Sequence, residues 1–136
     1  MSFVLDSSVS LTWCFDDERT DTTDALLERV VEAGAVAPAL WPLEVLNALA
    51  MAERRSRIDA ERRQRLAGFL RDLPVTIDED TASQAWAVTS QLAARFRLTV
   101  YDAAYLELAQ RRGLPLATLD QELRAAAAAL GVTLLG

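Results

Sequence analysis

The sequence predicts an α/β fold built on a mostly parallel central sheet. Three observations lead there. Short strand-like runs alternate with longer runs of helical spacing along the whole chain. Breakers stand where these runs meet, among them Gly34, Pro38, Pro74 and Gly113. The chain has 136 residues of which 51% are apolar, enough to build the core of one domain spanning residues 1–136.

The elements follow in order. Ser2 to Leu5 is a short apolar run ended by Asp6, and Ser8 to Phe15 reads as a short helix. Thr22 to Ala33 is helical, with Leu26, Leu27, Val30 and Val31 on one side and Gly34 as the stop. Ala35–Ala37 is a brief strand ended by Pro38. Leu40 to about Arg57 is a helix, and Asp59 to Leu73 another, with Asp59 as its N-cap. Pro74 frees Val75–Ile77 as a strand. Asp78, Glu79 and Asp80 open the next helix, where acids suit the helix dipole. Its stripe runs Ala82, Ala85, Trp86, Thr89, Leu92, Ala93 and Phe96, which places Trp86 in the core with Trp13 and Trp41. Asp102 to Arg112 is a helix closed by Gly113. Leu116–Thr118 is a strand, Gln121 to Leu130 a helix, and Val132–Leu134 a last strand. The sum is five short strands and about seven helices.

The alphabet excludes much chemistry. The chain holds no histidine, and its fourteen basic residues are all arginine. A Ser-His-Asp hydrolase, a His-Cys pair and an imidazole metal site are therefore ruled out. So are a P-loop lysine and a lysine Schiff base. Cys14 is the one cysteine, which excludes an internal disulfide framework, and it reads as a packing residue. No apolar run approaches the roughly 18 residues that cross a bilayer. The N-terminus lacks a basic lead and a cleavage pattern, so a cytoplasmic protein is expected, with no membrane partner.

Net charge is −6, which as one number opposes nucleic-acid binding. The distribution is uneven. Between Glu53 and Asp72 seven arginines stand against four acids. Arg54, Arg55, Arg57, Arg62 and Arg63 are either solvated helix faces or a basic wall for RNA or an acidic partner.

Four carboxylates draw attention. Glu44 lies in LWPLEVLNALAMA, a helix expected to be buried because it is apolar nearly all round. Asn47, three residues on, shares its face. A buried carboxylate needs an arginine, solvent or a metal. Asp6 ends the first strand and Asp120 lies just past the fourth, at the carboxyl edge where α/β sheets bind ligands. Each of Asp6, Asp102 and Asp120 can also be a plain helix cap. Ser8 and Thr118 stand two residues from Asp6 and Asp120, and either cap locally or support a carboxylate. Glu107 is five residues beyond Asp102 and reads as surface, and Asp16-Asp17-Glu18 as a solvated helix end. Trp13 or Trp41 can line a partner groove.

The segments VLDSSV, PLEVLNAL, LTVYDAAYLELA and LATLDQEL together resemble the motifs of PIN domains, most of all the VapC-type toxins of bacterial toxin–antitoxin pairs. The likeness covers essentially the whole chain. It implies a three-layer α/β/α sandwich with a five-stranded parallel sheet in order 3-2-1-4-5. It implies an endoribonuclease dependent on Mg²⁺ or Mn²⁺, whose acidic quartet falls on Asp6, Glu44, Asp102 and Asp120 with Thr118 in support. It also implies a homodimer and a small antitoxin partner. The rival readings are a non-catalytic RNA- or protein-binding module, with the acids as caps, and a carboxylate-metal DNase or phosphatase.

Overall fold

A computed structural model describes residues 2–136. Five strands form one parallel sheet: β1 (Val4–Leu5), β2 (Ala35–Ala37), β3 (Val75–Ile77), β4 (Leu116–Ala117) and β5 (Leu134–Leu135), in order β3-β2-β1-β4-β5. Val4 pairs with Val36 on one side and Leu116 on the other, so β1 is the central strand. It is fully buried, as a strand covered on both faces must be. The first, fourth and fifth strands differ from the expected ones by one or two residues at their ends. Their neighbours Phe3 and Thr118 still bond the sheet through backbone atoms.

The helices are α1 (Ser7–Thr12), α2 (Asp21–Ala33), α3 (Trp41–Arg54), α4 (Ala60–Asp72), α5 (Thr81–Gln84), α6 (Ser90–Phe96), α7 (Val100–Arg112) and α8 (Gln121–Ala129). A π-helical segment, Ala85–Thr89, joins α5 to α6, so the two form one continuous rod as expected. From β1 the chain steps outward through β2 to β3, then crosses back to β4 and β5. Right-handed crossovers put α1 to α4 on one face of the sheet and α5 to α8 on the other. The helix contacts agree, with α3 against α1 and α4, and α7 against α6 and α8.

Caps set several boundaries. Thr20 caps α2 in a reciprocal box with Thr23, and Asp59 accepts from the Arg62 amide at the start of α4. Gly34 ends α2 at φ +76°, and a Cβ there would stand 3.1 Å from the Pro74 carbonyl. The turn therefore requires glycine on two counts.

Three core expectations need correction. Trp86 is 92% exposed, while Trp13 and Trp41 are buried. The π turn inserts an extra residue into the helical repeat, which swings the stripe so that Thr89, Leu92 and Ala93 stay inside and Trp86 leaves. Helix α3 is not engulfed. Leu43 is 72% exposed, Leu46 is 47% exposed and Asn47 is also exposed. Glu107 is buried, because α7 is enclosed from Ala103 to Ala109 and has no solvent side there. It is paired with Arg111 one turn on, Nε to Oε2 at 2.8 Å. Asp78 is equally buried and takes Arg111 and Arg112. The Asp16–Glu18 stretch is a 3₁₀ turn whose Asp17 and Glu18 pair with Arg57. Cys14 is buried as a packing residue.

Candidate active site

Strands β1 and β4 are adjacent, and their following connections leave toward opposite sides. Such a switch point opens a crevice at the carboxyl edge of the sheet. Asp6 leaves β1 into it, and Thr118 and Asp120 leave β4. Helix α3 enters from the β2 side with Glu44 in its first turn, and α7 brings Asp102 in its own first turn. The amide ends of α1, α3, α7 and α8 all start at this edge and favour negative charge there.

The capping alternatives resolve unevenly. Asp6 stands at the N-cap of α1 but makes no side-chain cap bond. Asp102 is not a cap. Helix α7 starts two residues earlier than the sequence suggests, and Thr99 caps it by accepting from the Asp102 amide at 3.1 Å. Asp120 does cap α8, through Oδ1 and the Leu123 amide at 2.8 Å.

Asp6 is 3% exposed. Its Oδ2 accepts from Ser8 Oγ at 2.6 Å and Thr118 Oγ1 at 2.7 Å. Thr118 Oγ1 in turn accepts from the Asp120 amide, and Ser8 Oγ from the Leu119 amide. The two hydroxyls thus join the ends of β1 and β4 through one carboxylate oxygen. Both residues do what the sequence reading allowed them to do. Glu44 is half-buried, and its Oε1 accepts from Tyr105 Oη at 2.6 Å and Ser7 Oγ at 3.3 Å. Asn47 is exposed, makes no hydrogen bond to this set among the described residues, and is not part of the site.

The electrostatics follow from this placing of the acids. Burial, then Asp120, Asp6 and Glu44, push the Asp102 carboxyl up to about 6. Burial raises Asp6, against the pull of the Ser8 and Thr118 hydroxyls. Burial also raises Glu44, with Asp6 adding to it. Asp6, Glu44 and Asp120 thus sit close enough to Asp102 to oppose its ionisation.

All these donors are oxygens, the set that suits a hard divalent cation. Among the described residues, no three His, Cys, Asp or Glu side chains are arranged as a ready-made cage. Repelling carboxylates do not close up unaided, and Mg²⁺ commonly keeps most of its waters and takes only one or two carboxylates. The residues fit such an ion without forming a full protein cage.

Arg54 ends α3, about 15 Å along the axis from Glu44 in its first turn. Arg57 is engaged with Asp17 and Glu18 and stacks on Phe15, and Arg63 pairs with Glu53. Only Arg54, Arg55 and Arg62 of the five stay free of ion pairs among the described residues. A separate apolar groove of about 560 Å³ runs between α3, α4 and β3, lined by Trp41, Val45, Leu46, Ala67, Leu70 and Ile77 among others. It carries none of the four acids.

The PIN domain family model matches residues 3–129. The chain belongs to the PIN domain family. Among solved structures, this PIN domain is similar to PAE2754 from Pyrobaculum aerophilum, with a TM-score of 0.71 and 23% identity over 98% of this chain and 83% of that one. It is similar to FitAcB from Neisseria gonorrhoeae, with a TM-score of 0.69 and 17% identity over 100% and 97% of the two chains. It is also similar to VapC20 from Mycobacterium tuberculosis, a Sarcin-Ricin loop cleaving toxin, with a TM-score of 0.63 and 17% identity over 91% and 94%. At these identities the likeness is one of fold. No curated protein sequence matches the chain.

Sequence reasoning missed Tyr105 and Ser7. Tyr105 carried a usable signal, since it lies three residues after Asp102 on one helix and so on the same side. Ser7 carried none beyond its place next to Asp6.

Proposed function

We propose that this PIN domain is a metal-dependent endoribonuclease, using Mg²⁺ or Mn²⁺, and the toxin of a bacterial toxin–antitoxin pair. The observation that supports this most is the meeting of Asp6, Glu44, Asp102 and Asp120 at one sheet edge, where three of them raise the fourth. Asp6, Glu44 and Asp102 hold the cation in this reading. When bound, it offsets the carboxylates' repulsion, neutralises charge on the scissile phosphate and acidifies water. Ser8 and Thr118 fix Asp6 against rotation. Asp120 commits Oδ1 to its helix cap, leaving Oδ2 to orient the attacking water. Attack in line breaks the P–O3′ bond, giving a 3′-hydroxyl and a 5′-phosphate.

Fold neighbours support the pairing. One is VapBC2 from Rickettsia felis bound to a DNA fragment from their promoter, aligned over 98% of this chain with a TM-score of 0.66 and 11% identity. The groove beside Trp41 suits an apolar segment of an antitoxin, and a homodimer working in the cytoplasm completes the reading. Arg54, Arg55 and Arg62 remain available for RNA or for the partner.

The deciding experiment compares wild type with Asp6→Asn and Asp102→Asn on RNA and DNA side by side. RNA cleavage is expected to fall about 100-fold or more in each variant, about 2.7 kcal/mol of barrier, with folding intact. A fully active Asp6→Asn protein would sink the reading, and preference for DNA would redirect it to a DNase. A non-catalytic module would show no Mn²⁺ binding at all.

A further inference from the structure

Tyr105 is a large, wholly buried side chain, and its one polar atom is spent on Glu44. Its ring is packed in the centre of α7, whose residues Ala103 to Ala109 are all buried. The hydroxyl is therefore a fixed point. Glu44 is the opposite case. It is a long side chain on a helix whose neighbours Leu43 and Asn47 face solvent. Left to itself such a carboxylate has several rotamers to sample, and holding one costs entropy. The bond of 2.6 Å from Tyr105 Oη removes that freedom at Oε1. Ser7 Oγ adds a longer bond of 3.3 Å to the same oxygen. Oε2 receives no donor among the described residues. The same economy holds at Asp6, where both hydroxyls converge on Oδ2.

We infer that Tyr105 is a positioning residue, which ties Glu44 Oε1 to the core so that Oε2 is the oxygen presented to a cation. This rests on the carboxylate–cation reading above. A donor behind a ligand fixes its orientation, and losing it weakens metal binding about 10- to 100-fold. The competing account is simpler: a buried tyrosine needs a partner, and Glu44 supplies one. That account predicts a lower melting temperature for the metal-free protein and unchanged cation affinity once the protein is folded.

The test is calorimetric titration of the metal-free protein with Mn²⁺ at pH 7.5, alongside thermal melts without metal. Tyr105→Phe keeps the ring and removes the hydroxyl. Its Mn²⁺ affinity is expected to fall about 10- to 100-fold. Ser7→Ala, at a half-buried position, is expected to weaken binding several-fold, less than Tyr105→Phe, because its bond is longer. Affinity within twofold of wild type in Tyr105→Phe overturns the inference. If Tyr105→Phe does not fold, Ser7→Ala decides, and an unchanged affinity there overturns it as well. Wild-type protein that binds no Mn²⁺ defeats the carboxylate–cation reading first, and the role of Tyr105 with it.

Discussion

Asp102 concentrates the electrostatic cost of the site in one side chain. Its carboxyl is raised from 3.8 to about 6 by burial and three acidic neighbours. The folded protein thus holds that proton more tightly than the unfolded chain does. Stability is lost as pH rises from about 4 to 6, and the loss persists above that. Discounted for the group's partial exposure, it amounts to about 1 kcal/mol. Asp102→Asn is therefore expected to raise the metal-free melting temperature at pH 7.5 by roughly 3–5 °C, with the gain closing toward pH 4. Thermal melts in chelator at both pH values check this. A residue that destabilises its own protein is what a functional group looks like.

Residue by residue, the site was partly legible. Asp6 and Asp120 followed from strand ends, and the hydroxyls of Ser8 and Thr118 from their spacing. Glu44 stands out in the sequence for an apolar setting that the structure does not give it. Its helix is not engulfed, and the carboxylate is held by Tyr105 rather than isolated in apolar surroundings. Glu107 was misplaced because helical rotation says only which way a side chain points. Burial depends on what other segments pack there, and α7 is covered on every side over that stretch.

The rod from Thr81 to Phe96 shows the same limit at the scale of elements. Its spacing of threes and fours is that of an α-helix, yet the backbone widens at Ala85–Thr89. No residue in that segment announces a π turn. The outcome is measurable in fluorescence. One tryptophan of three is expected to be open to acrylamide, and Trp86→Phe should abolish the quenchable fraction while changing stability by less than about 0.5 kcal/mol. The far end of α7 is fastened differently. Arg111 reaches Asp78 at 2.6 Å and Glu107 at 2.8 Å, and both acids are almost fully enclosed. Burial works to raise Asp78, but Arg111 and Arg112 hold it below its ordinary value. Arg111→Ala leaves buried Glu107 without its partner and Asp78 with Arg112 alone, and is expected to cost about 3–5 kcal/mol in urea denaturation. Arg112→Ala, with one contact at 3.0 Å and Arg111 still in place, is expected to cost much less.

At the scale of the whole molecule, chain alternation points only to a mostly parallel sheet. The strand order is what the likeness in four short motifs implies, and the sheet has that order. The placing of Arg57 and Arg63 in ion pairs was not legible, since their partners Asp17, Glu18 and Glu53 are chosen by tertiary contact. Cation binding should act on the entire fold. At about a hundred times its dissociation constant, Mn²⁺ is expected to add about 2.7 kcal/mol, seen as a rise in melting temperature. The rise should be large at pH 7.5 and small at pH 5, where Asp102 holds a proton that a cation must displace. Equal rises at both pH values would separate the bound ion from these acids.

The hydroxyl tie between β1 and β4 carries a consequence for synthesis. Asp6 leaves the ribosome more than a hundred residues ahead of Thr118 and the strand before it. A nascent chain halted before residue 116 has no β4, leaves an open edge on β1, and holds Asp6 without one of its two partners. The crevice cannot assemble piecemeal. If the protein is the toxin proposed above, whatever its ribosome makes before β4 is harmless, and competence arrives as one event when that strand joins β1.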